Sequence, residues 1–300
     1  MKKLSDFNKI HFIGIGGIGM SALAKYARHH GITVTGSDLS ESDITKDLED
    51  NYQVKVFIGS DALNIEPDHD AVVYSPAIPP SDEEYQEAKS RGITLYSYPQ
   101  MLGTLTQETF TIAISGTNGK TTTTAMVIES MKHLGMDPTA IVGALLQKYT
   151  SNFISGSSDY LVVEACEYKD SFLHIAHDII VITNITEDHL DYFKDLAHIQ
   201  ETFIKFLSNK KGNGVLVCNT TLPSLAPVVK AARSLGMKVI PYETYLEQNL
   251  SLPIPGEHNK QNFAASLGVI GALDKPVEAA RSHLSKEFKG AKRRMEYLGM

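Results

Sequence analysis

Residues 111–126 read TIAISGTNGKTTTTAM, and they have the form of a phosphate-binding loop between a strand and a helix. An apolar run ends at Ser115, and the next six residues spell Gly-Thr-Asn-Gly-Lys-Thr. The usual phosphate loop has a glycine, four residues and then Gly-Lys-Ser/Thr, but Ile114 stands where that first glycine would be. The stretch therefore predicts a nucleotide-binding site with an unusual phosphate-loop sequence in an α/β domain.

The chemistry expected of this loop lies in two side chains. The Lys120 ammonium would reach the β- and γ-phosphates, and the Thr121 hydroxyl would coordinate Mg²⁺. The four threonines of residues 121–124 have poor helix propensity, which is tolerable if their hydroxyls serve phosphates and metal. An ordinary helix N-cap does not explain the Gly-x-x-Gly-Lys-Thr spelling, so we favour a nucleotide site.

A second glycine-rich loop lies near the N-terminus. Residues 9–38 read as strand, glycine turn, helix and strand, and the turn, Gly14–Gly19, is a complete G-x-G-x-x-G. Its glycines would let backbone N–H groups approach a diphosphate at the helix N-terminus, with Asp38 at the distance of a ribose-binding acid. Taken alone the pattern indicates NAD, but any nucleotide diphosphate would fit it.

Length and periodicity predict two α/β domains with mostly parallel sheets. A chain of 300 residues suits about two domains of ~100–200 residues. Continuous apolar strands alternate with helices, which is typical of parallel sheets covered on both faces. Residues 103–109, GTLTQET, lack periodicity and are predicted to be a linker, giving domains 1–106 and 107–300.

Composition excludes several classes of protein. A net charge of −7 without a basic block argues against nucleic-acid binding. No stretch approaches the ~20 apolar residues that span a bilayer, and two cysteines make no disulfide framework and suit a reducing compartment. We expect a cytoplasmic protein with neither nucleic-acid nor membrane partners.

Polar residues follow two later apolar strands. Glu164 ends the first, where it could be a Mg²⁺ ligand or a solvated strand end, and Glu167 is open to either role. After the next strand, His189 lies among acidic and amide side chains. This setting favours a functional role for His189 over that of an ordinary structural histidine. The neighbours that make this cluster are Asn184, Asp188 and Asp191.

Three polar residues stand at the start of a helix near the C-terminal end. His258, Asn259 and Asn262 could cap this helix or hydrogen-bond a nucleotide base. Capping accounts for one asparagine but not for all three residues.

Six stretches in this order resemble the Mur ligase family, and the resemblance covers nearly the whole chain. They are HFIGIGGIGMSALA, GTNGKTTTT, VVEACEYKDSFL, NITEDHLDYF, PGEHNKQN and FKGAKRRMEYLG. In that family Gly-Thr-x-Gly-Lys-Thr is the normal phosphate loop, so its spelling here is a family variant. The resemblance implies a Rossmann-like N-terminal domain and a P-loop-type central ATPase domain.

The resemblance also implies roles for individual residues. The first loop would bind the UDP part of UDP-N-acetylmuramate and not NAD; this substrate site comprises Gly14, Ile15, Gly16, Gly17, Ile18, Gly19, Asp38 and Ser75. The ATP site comprises Gly116, Thr117, Asn118, Gly119, Lys120, Thr121, Thr122, His258, Asn259, Asn262, Arg293 and Arg294. Thr121, Glu164 and His189 would hold magnesium, and the catalytic set is Lys120, Glu164 and His189.

The chain is most similar to the family members that add L-alanine to UDP-N-acetylmuramate. The implied reaction is amide ligation through an acyl phosphate, with ATP and Mg²⁺, in peptidoglycan synthesis. A third, C-terminal amino-acid-binding domain of the family is expected to be absent, leaving a fragment inactive alone. The alternatives are the peptidoglycan-recycling ligase that joins a tripeptide to the same sugar, a non-catalytic UDP-sugar-binding or regulatory module and, most weakly, an NAD dehydrogenase.

Overall fold

The computed structural model describes residues 4–146, 148–247, 251–288 and 290. Contacts divide the chain into two compact units, Met1–Glu108 and Thr109–Met300. Each unit is an α/β structure with its own mainly parallel sheet, which confirms the predicted fold class. In the described part of the chain, no helix is both long enough and apolar enough to cross a membrane.

The first unit is a five-stranded parallel sheet in the order β3-β2-β1-β4-β5. Its strands are β1 (Lys9–Ile13), β2 (Thr33–Asp38), β3 (Lys55–Ile58), β4 (Ala71–Tyr74) and β5 (Thr94–Ser97), and its helices are α1 (Ile18–His29), α2 (Asp43–Tyr52), α3 (Glu83–Ser90) and α4 (Tyr98–Glu108). The chain leaves β1 toward β2 and later returns on its other side as β4. The glycine loop after β1 therefore lies at the switch point of the sheet, where α/β proteins bind ligands.

The predicted linker at residues 103–109 is wrong, because most of it belongs to α4. This helix buries an apolar face that includes Met101, Leu102 and Leu105. Pro99 lies in the first turn of α4, where proline is favoured. It is the residue in the sequence that indicates the start of this helix. Gly103 and the threonines of α4 have low helix propensity, so packing decides this element.

The second unit is a seven-stranded sheet in the order β12-β11-β10-β6-β9-β7-β8. Its strands are β6 (Phe110–Ser115), β7 (Thr139–Leu146), β8 (Ser151–Ile154), β9 (Tyr160–Glu164), β10 (His177–Ile182), β11 (Lys210–Cys218) and β12 (Lys238–Pro241), and its helices are α5 (Lys120–His133), α6 (Leu196–Leu207), α7 (Ala226–Ser234), α8 (Glu257–Ala272) and α9 (Val277–Glu287). Among the strand pairs that the structure describes in this sheet, only β7–β8 is antiparallel. Since β6 pairs with β9 and with β10, the loops after these three strands meet at one edge.

Helix α5 is buried on all sides for most of its length. Every residue from Thr121 to Met131 is buried, and α8 packs against it within the main core of this unit. The threonines at its start are therefore not a solvated helix end. Their burial places the phosphate loop on a rigid support.

We predict that Leu105→Ala destabilises the protein by about 2–5 kcal/mol, because it removes a buried leucine and leaves a cavity. Leu105 is 2% exposed. Gln107→Ala, on the exposed face of the same helix, is the matched control and should change stability by less than about 0.5 kcal/mol. Urea denaturation measures both, and equal effects of the two changes would contradict the helical assignment.

Candidate active site

The phosphate loop is shaped by two glycines with left-handed backbone. Gly116 has φ +123° and Gly119 has φ +86°. A Cβ atom at position 116 would clash with Thr183 Oγ1, and one at position 119 would clash with Asn262 Oδ1. Ile114, in contrast, lies inside β6 with its side chain buried. The chain therefore needs glycine at positions 116 and 119, and not at 114.

Polar groups at the end of β10 hold this loop in place. Asn118 donates its N–H to Asn184 Oδ1 at 3.1 Å, and its carbonyl accepts from Asn184 Nδ2 at 3.0 Å and from Thr183 Oγ1 at 2.6 Å. Asn184 was predicted only as a member of a polar cluster. Its position is explained here by the backbone that it binds.

The Lys120 ammonium points back into the loop. It donates to the carbonyl oxygens of Gly116 at 2.6 Å and Thr117 at 3.2 Å, and it lies 3.0 Å from Glu167 Oε2. The Glu167 side chain is only 3% exposed, so this is a largely buried ion pair. Sequence reasoning left Glu167 open between two roles and did not find this pairing.

Thr121 and Glu164 lie side by side at the start of α5 and the end of β9. The Thr121 hydroxyl donates to Glu164 Oε1 at 2.7 Å, and the N–H of Gly143 donates to Glu164 Oε2. Gly143 belongs to β7, and a Cβ atom there would lie 2.8 Å from the same carboxylate oxygen. Across the described ranges, no group of three or more His, Cys, Asp or Glu side chains is arranged to hold a metal ion.

His189 lies in a segment that is joined to residues 168–170 by two tyrosine–aspartate hydrogen bonds. The Tyr168 hydroxyl donates to Asp191 at 2.8 Å, and the Tyr192 hydroxyl donates to Asp170 at 2.8 Å. The His189 ring lies 4.7 Å from the Tyr168 ring, centroid to centroid, and its φ is +52°. These hydrogen bonds raise the pKa of both tyrosines. The role of His189 as a metal ligand stays a prediction.

A cavity of about 840 Å³ opens beside the phosphate loop. Its walls include Asn118, Gly119, Thr122, Thr183, Asn184, Asn219, Leu222, Tyr242, Ile254, His258, Asn259, Gln261, Asn262 and Gly290. The structure thus brings the start of α8 next to the phosphate loop. Arg293 and Arg294 lie outside the described residues.

The two asparagines of α8 are both buried and hydrogen-bonded within the protein. Asn259 Nδ2 donates to the Pro255 carbonyl at 2.6 Å, while Asn262 accepts from Thr123 Oγ1 at 3.3 Å. Burial raises the pKa of Tyr242, whose hydroxyl donates to the Thr183 carbonyl at 2.6 Å. These side chains fix the shape of the cavity.

The N-terminal glycine loop is held by the end of β2. The N–H groups of Gly14 and Ile15 donate to the Ser37 carbonyl at 2.8 and 2.9 Å, and the Gly16 N–H donates to Asp38 Oδ2 at 2.8 Å. Ile15 is fully buried, and its N–H is taken by Ser37, so this residue fixes the shape of the loop. A Cβ atom at Gly14 would lie 3.1 Å from Ser75 Cβ, which places Ser75 beside the loop.

Both units match family models. Residues 9–109 match the Mur ligase family, catalytic domain, and residues 114–249 match the Mur ligase middle domain. The chain is 39% identical over 320 aligned residues to a UDP-N-acetylmuramate–L-alanine ligase from Caldicellulosiruptor saccharolyticus, and the match covers 97% of this chain and 69% of that protein.

Solved structures show the same fold. The UDP-N-acetylmuramate–alanine ligase from Thermotoga maritima superposes with a TM-score of 0.80 at 27% identity, covering 96% of this chain and 70% of that one. A UDP-N-acetylmuramate:L-alanyl-γ-D-glutamyl-meso-diaminopimelate ligase from Neisseria meningitides gives a TM-score of 0.85 at 24% identity, covering 96% and 100%. At that identity the second likeness bears on the fold alone.

We predict that Gly119→Ala lowers the affinity for ATP at least about tenfold, or 1.4 kcal/mol, because the new Cβ atom forces Asn262 and the loop apart. Gly135→Ala is the control: Gly135 has φ +74° with no atom near its Cβ position. It carries the same backbone strain of about 1–2 kcal/mol without the clash. Calorimetric titration compares the two, and equal ATP affinities would contradict the role of this close approach.

Proposed function

The chain belongs to the Mur ligase family, and from this premise we propose that it is the ATP-dependent ligase that adds L-alanine to UDP-N-acetylmuramate in peptidoglycan synthesis. The observation that carries the proposal is the phosphate loop of the second unit, with Lys120 at its mouth and the Thr121–Glu164 pair beside it. The curated relatives at 38–39% identity over 97% of this chain carry the name of this activity.

The family relationship implies the reaction. The lactyl carboxylate of UDP-N-acetylmuramate attacks the γ-phosphorus of ATP, and ADP leaves with the electrons of the broken P–O bond. The amine of L-alanine then attacks the acyl phosphate, forms the amide, loses a proton and releases inorganic phosphate. Lys120 exchanges Glu167 for the transferred phosphoryl group and offsets its negative charge.

The residues present fit a magnesium ion. Thr121 Oγ1 and Glu164 Oε1 are adjacent oxygen donors, and Mg²⁺ at phosphate sites is bound by one or two carboxylates, substrate phosphates and water. A three-carboxylate cage is therefore not required. The ion supplies charge neutralisation on the phosphate oxygens. We include His189 as a further ligand in this proposal.

Binding of each substrate rests on a separate loop. The cavity beside Asn118 and Asn262 is of a size to take the nucleoside part of ATP. The Gly14–Gly19 loop precedes an α1 whose N-terminus favours an anion, and the family relationship favours the UDP diphosphate there over that of NAD. Both cysteines are free, which supports a cytoplasmic reaction.

Turnover tests the proposal directly. The protein, supplied with MgATP, UDP-N-acetylmuramate and L-alanine, should form UDP-N-acetylmuramoyl-L-alanine, detected by mass spectrometry. Preferential use of the tripeptide L-alanyl-γ-D-glutamyl-meso-diaminopimelate would favour the recycling ligase instead. Binding of NADH in place of the UDP-sugar would overturn both assignments.

We predict that Gly16→Val weakens binding of UDP-N-acetylmuramate at least about tenfold. The Cβ atom would lie 2.8 Å from Asp38 Oδ2, and the branched side chain would displace the carboxylate that holds the loop. Affinity for MgATP should stay unchanged, since the phosphate loop is in the other unit. Calorimetry with both ligands is the measurement, and a parallel loss of both affinities would contradict two independent sites.

Glu164→Gln should reduce the Mg²⁺-dependent part of ATP binding at least about tenfold. Loss of a residue that only supports a metal ligand typically lowers metal affinity about 10–100-fold, and loss of a ligand itself should cost at least as much. Glu187→Gln, an exposed carboxylate of the same unit, is the control for net charge. ATP titrations with and without Mg²⁺ separate the two. A fall in thermal stability with no change in the magnesium dependence would mean that Glu164 is structural.

A further inference from the structure

A group of buried polar side chains lies on one face of the first sheet. We call it the Glu84 network, and its members are each no more than 7% exposed: His11, Thr35, Ser37, Asn64, His69 and Glu84. His11 pairs with Thr35 across β1 and β2, and Glu84 reaches them from α3. None of these side chains has a part in the reaction described above.

The hydrogen bonds of the network run in one direction. The Glu66 N–H donates to His69 Nδ1 at 3.0 Å, so the proton of His69 is on Nε2, which donates to Thr35 Oγ1 at 2.9 Å. The Thr35 hydroxyl then donates to His11 Nδ1 at 2.8 Å, and His11 Nε2 donates to Glu84 Oε2 at 3.2 Å. His69 is therefore neutral, and burial lowers its pKa to about 4.

Glu84 ends this chain as a buried anion stabilised by hydrogen bonds. Besides His11, it accepts from the Ser37 hydroxyl and from Asn64 Nδ2 at 2.6 Å. These donors lower the pKa of Glu84 against the opposing effect of burial. A buried carboxylate is expensive, and well-packed apolar residues would serve stability as well or better. A role beyond packing is therefore expected of it.

Ser37 joins the network to the N-terminal glycine loop. Its hydroxyl donates to Glu84, while its carbonyl accepts the N–H groups of Gly14 and Ile15. The next residue, Asp38, accepts the Gly16 N–H. The end of β2 thus fixes three consecutive amides of the loop, and the Glu84 carboxylate ties this end to α3.

We propose that Glu84 is a positioning residue for the UDP-sugar, acting through Ser37 to hold the glycine loop in its binding conformation. The proposal rests on the proposed function for the identity of the ligand. Glu84 is fully buried and needs no contact with substrate. Its effect reaches the ligand through the Ser37 peptide, because one residue carries both contacts.

The test uses Glu84→Gln and Ser37→Ala, with Glu83→Gln as the matched control. Glu83 is the exposed neighbour on the same helix, so it repeats the charge change without the network. Glu84→Gln and Ser37→Ala should each raise the Kd and KM for UDP-N-acetylmuramate about tenfold, equivalent to 1.4 kcal/mol, with the KM for ATP unchanged. The double variant should be little worse than either single one, since both changes break the same link.

Amide hydrogen exchange provides a measurement that does not depend on ligand identity. In the ligand-free protein, Glu84→Gln should speed exchange at Gly14, Ile15 and Gly16 about tenfold, while the α5 amides keep their protection. If the unaltered protein does not bind UDP-N-acetylmuramate, the proposed function fails and this exchange result still decides the positioning role.

Two results would overturn the inference: a folded Glu84→Gln protein with unaltered loop exchange, or additive effects of the two changes on substrate affinity. A stability loss alone, with both readouts unmoved, would mean that Glu84 is only structural. If Glu84→Gln fails to fold, Ser37→Ala decides, because it removes one hydroxyl and leaves the carbonyl in place.

Discussion

The close approach of the phosphate loop to its neighbours is the constraint on which the second unit depends. At Gly116 the backbone meets the end of β10, and at Gly119 it meets the start of α8. Neither approach tolerates a Cβ atom. Because both contacts are to backbone or to buried side chains, the loop, β10 and α8 must be placed together. That arrangement forms the cavity beside the loop and sets the direction in which Lys120 leaves the backbone.

The two units solve the same problem in related ways. A glycine-rich loop has N–H groups to satisfy, and a polar group on an adjacent strand end accepts them. Asp38 and the Ser37 carbonyl do so after β2, and Asn184 does so after β10. The Glu84 network lies behind the end of β2, and the buried Tyr242 hydroxyl donates to the Thr183 carbonyl after β10. In the first unit the loop geometry therefore depends on Glu84, a side chain that the proposal gives no contact with substrate.

The sequence predicts those features of the fold that short-range sequence patterns determine. The strand–loop–helix units, both glycine loops and the parallel sheets follow from short-range periodicity and glycine spacing, and the structure contains them. Helix α4 was missed because its residues have weak helix propensity and only packing selects that state. The Glu167–Lys120 pair joins residues 47 apart, and the His11–Glu84 bond joins residues 73 apart. Such partners are set by topology, which local pattern does not contain. Ile15, predicted in the substrate site, is fully buried, because a glycine motif does not contain the packing of the residues between its glycines.

The Lys120–Glu167 pair explains how a partly buried lysine can remain charged when no phosphate is bound. An ammonium that is only 17% exposed on its side chain needs an anion, because an unpaired charge of this kind is costly. Glu167 supplies that anion, and two loop carbonyls take the other hydrogen bonds. An incoming γ-phosphate carries more negative charge than a carboxylate, so it competes for the same ammonium with a Coulombic advantage at equal distance. In the proposed mechanism, Lys120 therefore passes directly from the Glu167 carboxylate to the γ-phosphate.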